Sequence, residues 1–195
     1  MILTKEILRS IANIPEPRLD IYIPLLNNTL PKYEINTEER VACFLAQVIH
    51  ESGAFCYIKE IASGKAYEGR KDLGNTQVGD GVKFKGRGLI QTTGRNNYRD
   101  VSLYLFGDER LLTTPQLLEQ PQYALDSACY YWKVKRLNDI CDKPLNWTTV
   151  FKGKQRGRFE WLTIKINGGL NGYADRVHYY NRAVSAIKKG GITHP

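Results

Sequence analysis

Two stretches of this chain combine residue types that could do acid–base chemistry on a substrate. The first is Phe44-Leu45-Ala46-Gln47-Val48-Ile49-His50-Glu51-Ser52-Gly53, and the second is Lys85-Gly86-Arg87-Gly88-Leu89-Ile90-Gln91-Thr92-Thr93. A carboxylic acid keeps its proton near neutral pH only where apolar surroundings raise its pKa. Glu51 follows Val48 by three residues and Phe44 by seven, so on a helix it extends their apolar face. An exposed helix-terminal glutamate is the plain alternative, but a negative charge at a helix C-terminus is opposed by the dipole. The chemistry suggested is hydrolysis of a glycosidic bond, which needs a proton on the leaving oxygen.

A second carboxylate must then hold a water on the opposite sugar face, at about 6.5–9.5 Å, or attack directly, at about 5–5.5 Å. Glu60, Glu68, Asp72 and Asp80 are available in the segment after Glu51. Gly86 and Gly88 allow close backbone approach, while Gln91, Thr92, Thr93 and Asn97 offer amides and hydroxyls for sugar hydroxyls or a water. A phosphate loop is excluded, because the required Gly-Lys-Ser/Thr ending is missing. Ile166-Asn167-Gly168-Gly169 reads as a helix end with an amide side chain, and Arg176 and Tyr180 lie one turn apart on the next helix. Two rival constellations are thinner. His50-Glu51 begins a zinc-peptidase motif, but position 54 is Ala where a second His is required, and nothing in the sequence activates a Cys56–His178 pair.

The elements that must position these groups read as mainly helical. Helical spacing predicts helices over Thr4–Asn13, Ile21–Leu30, Asn36–Glu51 with Asn36 as cap and Glu39 in a capping box, Asn96–Phe106, Tyr123–Lys133, Phe159–Ile166 and Ala174–Lys189. Ser52–Gly86 loses that period and is too long for a routine connection. Its aromatics Phe55, Tyr57, Tyr67 and Phe84 point to an ordered, packed loop with room for a small hairpin. Lys135–Arg158 reads as basic and irregular.

At 195 residues, with 42% hydrophobic and 25% charged residues, the chain suits one globular domain, 1–195, of two lobes. The net charge of +8 favours a polyanionic partner, and the scattered basic residues match no nucleic-acid-binding motif, so no specific nucleic acid is expected. No apolar run approaches the ~18 residues of a membrane span, and the N-terminus lacks the order of a secretory signal. The expectation is a protein made in the cytosol with no membrane insertion. Cys43, Cys56, Cys129 and Cys141 form no Cys-x-x-Cys pair, so reduced core thiols are expected, with a disulfide left open, and no metal or cofactor is called for.

With these residues in place the chain resembles glycoside hydrolase family 19, and within it the phage and prophage endolysins that cleave peptidoglycan. The matching blocks are Phe44–Phe55, Ile61–Thr76, Gly86–Tyr98 and Ile166–Tyr180, in the order the family uses. The resemblance implies a lysozyme-like, two-lobed helical fold with a central cleft. It implies Glu51 as general acid and Glu60 as base, with Glu68 in reserve; Thr93 holding the attacking water; and Gln91, Asn97, Tyr98 and Asn167 at sugar-binding positions, with Arg176 behind the cleft. Plant-type chitinases carry a glutamate where this chain has Asn171, which fits the peptidoglycan-cleaving branch better. The resemblance thus implies a cofactor-free, monomeric, inverting muramidase that is made in the host cytoplasm and acts on the wall after release, without a separate wall-binding domain. The alternatives are a chitinase, another wall hydrolase such as an amidase, and a non-catalytic wall-binding module.

Overall fold

The computed structural model describes residues 2–190, which divide into two compact units, 2–50 with 132–190, and 51–131. Ten helices run in chain order among the described residues: α1 (Lys5–Ile11), α2 (Glu16–Thr29), α3 (Glu38–Glu51), α4 (Asp80–Lys83), α5 (Arg95–Phe106), α6 (Arg110–Thr113), α7 (Pro121–Val134), α8 (Leu137–Cys141), α9 (Arg158–Asn167) and α10 (Tyr173–Lys189). The one sheet described is an antiparallel hairpin of β1 (Thr148–Phe151) and β2 (Lys154–Gly157), paired from Thr148↔Gly157 to Phe151↔Lys154. No described helix is long and apolar enough to cross a membrane.

In the first unit α1 opens on a Thr4 cap, whose hydroxyl accepts the Ile7 amide at 3.3 Å, and buries Ile7, Leu8 and Ile11 where it runs along α10. Helix α2 begins at Glu16, five residues before the position that the sequence predicts. Pro15 and Pro17 start it, because a proline in the first turn lacks only an N–H that would have had no partner, and Pro24 lies inside it. Helix α3 is capped by Thr37, whose hydroxyl accepts the Arg40 amide at 3.2 Å, not by Asn36. Glu39 forms no capping box. Its carboxylate instead accepts from the Arg158 guanidinium (2.5 Å) and the Tyr180 hydroxyl (2.6 Å).

From Val41 to Ile49 every residue of α3 is buried, so this helix is enclosed on all sides rather than amphipathic. Phe44 meets Trp132 edge to face, with ring centroids 5.2 Å apart. Cys43 and Cys129 are buried, and burial pushes both thiols well above their ordinary range.

The second unit has its own apolar core of Phe84, Tyr98, Val101, Leu111, Leu112 and Leu118. The long segment after Glu51 is ordered around it, with Phe55 and Phe84 fully buried, Tyr67 half-buried and Tyr57 exposed. It holds short turns and α4 but no hairpin. The hairpin lies in the other unit, inside the stretch read as irregular. Its turn places Lys152 and Gly153 at φ of 49° and 72°, and a lysine in the first of these left-handed positions hides the Asn-Gly or Asp-Gly signal usual there. Helices α6 and α8, of four and five residues, are too short to show a period.

Replacing Phe44 with Ala removes the ring that faces Trp132 in a site with no exposed surface. The expected loss is about 3–5 kcal/mol in urea unfolding.

Candidate functional site

In the second unit the polar strip is built around a buried cation. Arg87 is 5% exposed. Its Nε donates to Glu119 Oε1 (2.7 Å), and its Nη1 donates to the Lys83 carbonyl (2.8 Å) and to the Tyr98 hydroxyl (3.0 Å). The Tyr98 hydroxyl passes its own proton to the Lys85 carbonyl (2.6 Å). Tyr98 is therefore a core residue with no exposed surface, not the sugar contact expected of it. Burial, opposed by the Arg87 charge, pushes its phenol up.

With Arg87 fixed, the backbone on either side is committed. Arg87 and Thr92 exchange amide–carbonyl bonds (3.1 and 2.7 Å), and the Gly88 amide donates to the Ile58 carbonyl (2.9 Å). Gly88 has φ +83°, and a Cβ there would stand 2.5 Å from Ser127 Oγ on α7, so only glycine fits. Gln91 closes the turn at φ +54°, a left-handed position that an ordinary side chain occupies at a cost of about 1–3 kcal/mol.

This backbone holds Glu60. The Glu60 amide donates to the Gly86 carbonyl (2.9 Å), the Gly86 amide returns a bond to Glu60 Oε2 (3.0 Å), and the Tyr67 hydroxyl donates to Glu60 Oε1 (3.0 Å). Gly86 touches both acid and amide: a Cβ on it would lie 2.6 Å from Gln91 Oε1 and 3.3 Å from Glu60 Oε2. Gln91 Nε2 donates to the Gly88 carbonyl (3.0 Å), Thr93 Oγ1 to the Gln91 carbonyl (2.9 Å) and Asn97 Nδ2 to the Thr93 carbonyl (2.7 Å). Gln91, Thr93 and Asn97 thus form one connected polar run, and Glu60 is held beside it through Gly86.

Glu68 does not join it. Its two oxygens accept the amides of Gly79 (2.6 Å) and Gly81 (2.8 Å) and pin the start of α4. Asp80 is 1% exposed and takes a two-pronged ion pair from Arg95, at 2.8 and 2.5 Å. That guanidinium, with help from backbone amides and against the effect of burial, holds the Asp80 carboxyl below its ordinary 3.8. Asp72 is engaged at the surface by Arg70 (2.5 Å). Glu51 is half-buried at the end of α3, and the Tyr131 phenol feels its charge: burial first and the Glu51 carboxylate second push that phenol up.

In the first unit, Arg176 is 1% exposed and donates through Nη1 to Gln47 Oε1 of α3 and through Nε to the Asn171 carbonyl (3.3 Å). Asn167 Nδ2 donates to the same carbonyl (3.4 Å), so the two residues share one backbone acceptor. Gln47 Nε2 donates to Thr163 Oγ1 of α9 (3.2 Å). His50 Nδ1 pairs with Asp175 Oδ2 at 2.6 Å. His178 lines a surface groove of about 530 Å³ between α1 and α10, while in the second unit the Cys56 thiol leans on the Ala54 carbonyl (3.6 Å). Among the described residues no group of three or more His, Cys, Asp or Glu could hold a metal.

The known proteins similar to this chain share one family. Over 170 residues the chain is 28% identical to a glycosyl hydrolase family 19 domain-containing protein of Haemophilus influenzae, covering 71% of this chain and 76% of that one. Over 150 residues it is 33% identical to an endochitinase of Arabidopsis thaliana, covering 73% of this chain and 46% of that one. All of this chain superposes on chitinase C from Streptomyces griseus, with a TM-score of 0.68, 20% identity and 78% of that chain covered; the class IV family 19 chitinase of Zea mays gives 0.59 at 20% identity over 85% of its chain. Its homologues and structural neighbours are glycoside hydrolase family 19 proteins. No family model matches the chain. The mostly helical architecture with one small sheet is the lysozyme-like fold of these chitinases.

Sequence spacing did not single out Tyr67, Arg87, Asn75 or Tyr131 for the site. Asn75 has no exposed surface and accepts the Arg95 amide (2.8 Å) while donating to the Tyr67 carbonyl (2.8 Å), which ties the loop to the start of α5. A buried asparagine among loop residues leaves no periodic trace. Tyr131 could have been flagged only as a polar tip beside Trp132 on an otherwise apolar helix.

The Asp80 pair yields a pH test. Because the folded carboxyl titrates below its unfolded value, the pair stabilises the protein at neutral pH, and that contribution is lost as pH falls through the folded value, below 3.8. Asp80→Asn is expected to melt at a lower temperature than wild type at pH 7, with the gap narrowing at pH 3.

Proposed function

We propose that this chain is an inverting glycosidase of bacterial peptidoglycan, acting as an endolysin on the β-1,4 bonds between N-acetylmuramic acid and N-acetylglucosamine. The reading rests above all on Glu60, a carboxylate held in one orientation by Tyr67 and by Gly86, the glycine that also lies against the Gln91 side chain. Glu68, the reserve candidate, has both oxygens committed to the backbone of α4. Glu60 is accordingly the base and Glu68 a structural clamp.

In the proposed step Glu51 gives its proton to the glycosidic oxygen as the C1–O bond breaks, and a water attacks C1 from the other face. Glu60 takes the proton of that water, so one displacement inverts the anomeric carbon without a covalent intermediate. Thr93 has spent its hydroxyl proton on the Gln91 carbonyl and is left with acceptor lone pairs, which suits it to take a hydrogen bond from the water. Gln91 and Asn97 hold N-acetyl and hydroxyl groups of the sugar, and Asn167 is proposed separately as a sugar-binding amide.

The net charge of +8 supports retention on an acidic wall. Asn171 supports peptidoglycan over chitin. On this reading the protein works as a monomer in the wall after release from the cytoplasm and needs no cofactor. A chitinase is the second reading, favoured by the endochitinases among the relatives, although the chain spans under half the length of the Arabidopsis one.

Mass spectrometry of digested purified wall should show fragments ending in reducing N-acetylmuramic acid, and proton NMR of the first product should show the inverted anomer. Release of free amines instead would mean an amidase, and cleavage of chitin oligomers alone would mean a chitinase. Glu51→Gln and Glu60→Gln are each expected to lower kcat by about 10²- to 10⁴-fold, and Glu68→Gln to act mainly through thermal stability. Lytic activity retained by a folded Glu51→Gln protein would end the assignment.

A further inference from the structure

The His50–Asp175 pair has no part in the proposed displacement, and the zinc motif that begins at His50 is incomplete at Ala54. The pair is nonetheless closely built. His50 Nδ1 lies 2.6 Å from Asp175 Oδ2, and since a carboxylate offers only acceptors, Nδ1 carries the proton. The Cε1–Nε2 side of the ring lies close against Gly172, the residue before α10. A Cβ there would stand 2.2 Å from His50 Cε1 and 2.4 Å from Nε2, and Gly172 has φ +67°, so glycine is required twice over. The imidazole is therefore held at Nδ1 by Asp175 and packed at its Cε1–Nε2 side against Gly172.

One turn earlier on α3, Gln47 is gripped by Arg176, the neighbour of Asp175. Residues 47 and 50 are i and i+3 on one helix face, and their partners are consecutive at the start of α10. These bonds bind the first turn of α10 to the last turn of α3. That last turn is where a helix runs out of backbone partners and frays unless something else holds it. Glu51 is the final residue of α3, one past His50 and four past Gln47.

We propose that Asp175, acting through His50, is a positioning residue for the general acid: the pair and the Gly172 seat hold the end of α3 still and so set the direction in which the Glu51 side chain leaves the helix. The role rests on Glu51 being the acid, and it demands precision rather than contact with substrate. A displacement of about 1 Å in an acid or base costs up to roughly a hundredfold in rate while substrate binding elsewhere is untouched.

The test compares the full chain with its Asp175→Ala and Asp175→Asn variants on solubilised peptidoglycan, with hydrogen exchange of the backbone read by mass spectrometry. Asp175→Ala is expected to lose about ten- to a hundredfold in kcat with KM within about twofold, and to speed exchange over residues 48–52. Asp175→Asn keeps an oxygen that accepts the Nδ1 proton, so it should recover most of kcat and of the protection. Unchanged kcat in Asp175→Ala, equal losses in both variants, or unaltered exchange over 48–52 would overturn the proposal. Exchange does not depend on activity: a wild type that cleaves no glycan, with protection still lost in Asp175→Ala, would overturn the glycosidase reading and leave the latch standing.

Discussion

A guanidinium with almost no access to water organises the polar strip of this protein. Burying a charge costs several kcal/mol unless it is paired and its remaining protons are bonded. Arg87 meets that demand with Glu119, the Lys83 carbonyl and the Tyr98 hydroxyl, and in doing so draws together α4, α5 and the residues before α7. Gly86 and Gly88 flank it because the chain there must pass close to other atoms on both sides. Next to this knot the Gly86 amide donates to Glu60, and Gln91 takes a left-handed turn. The strip's polar character is a by-product of satisfying one buried charge.

The two glutamates of the loop show how similar contacts serve different ends. Each accepts two hydrogen bonds. Glu68 receives both from glycine amides at the start of α4, so its charge is spent on shaping that segment. Glu60 receives one from a phenol and one from an amide, and the glycine that holds it also lies against the Gln91 side chain, where the connected run through Thr93 to Asn97 begins. A carboxylate held by two fixed donors loses its freedom to rotate but keeps lone pairs for a further proton, which is what a water-activating base requires.

Helix α3 unites structure and chemistry in a single element. Nine successive buried residues anchor it, and the polar members of its last turns, Gln47 and His50, are each matched by a group from α10. Gln47 would be an expensive buried amide without Arg176 and Thr163. With them, the helix is located along its axis and in rotation, so the carboxylate at its end starts from a defined point. Asn171 takes part through its backbone carbonyl, which Asn167 and Arg176 share, and a substitution of its side chain leaves that acceptor in place.

Local pattern was enough for much of this protein. The period of apolar residues marked α1, α3, α5, α7, α9 and α10 to within a few residues, because each of these helices buries residues at helical spacing. Ordered blocks of motif sufficed to name the family and to pick out Glu51, Glu60, Gln91 and Asn167 as candidates. Other features depend on partners far away in the chain: Tyr98 is a core residue because Arg87 claims its hydroxyl, Glu68 is a clamp because two glycine amides reach it, and Glu39 serves Arg158 and Tyr180, 119 and 141 residues further on, rather than its own helix start. The hairpin was invisible for a related reason, since four-residue strands around a lysine turn have too little period to read and are held by Phe151 on Trp161. Spacing along a chain reports what a residue can do within a few turns; which of its options is used is decided by the groups that folding brings to it.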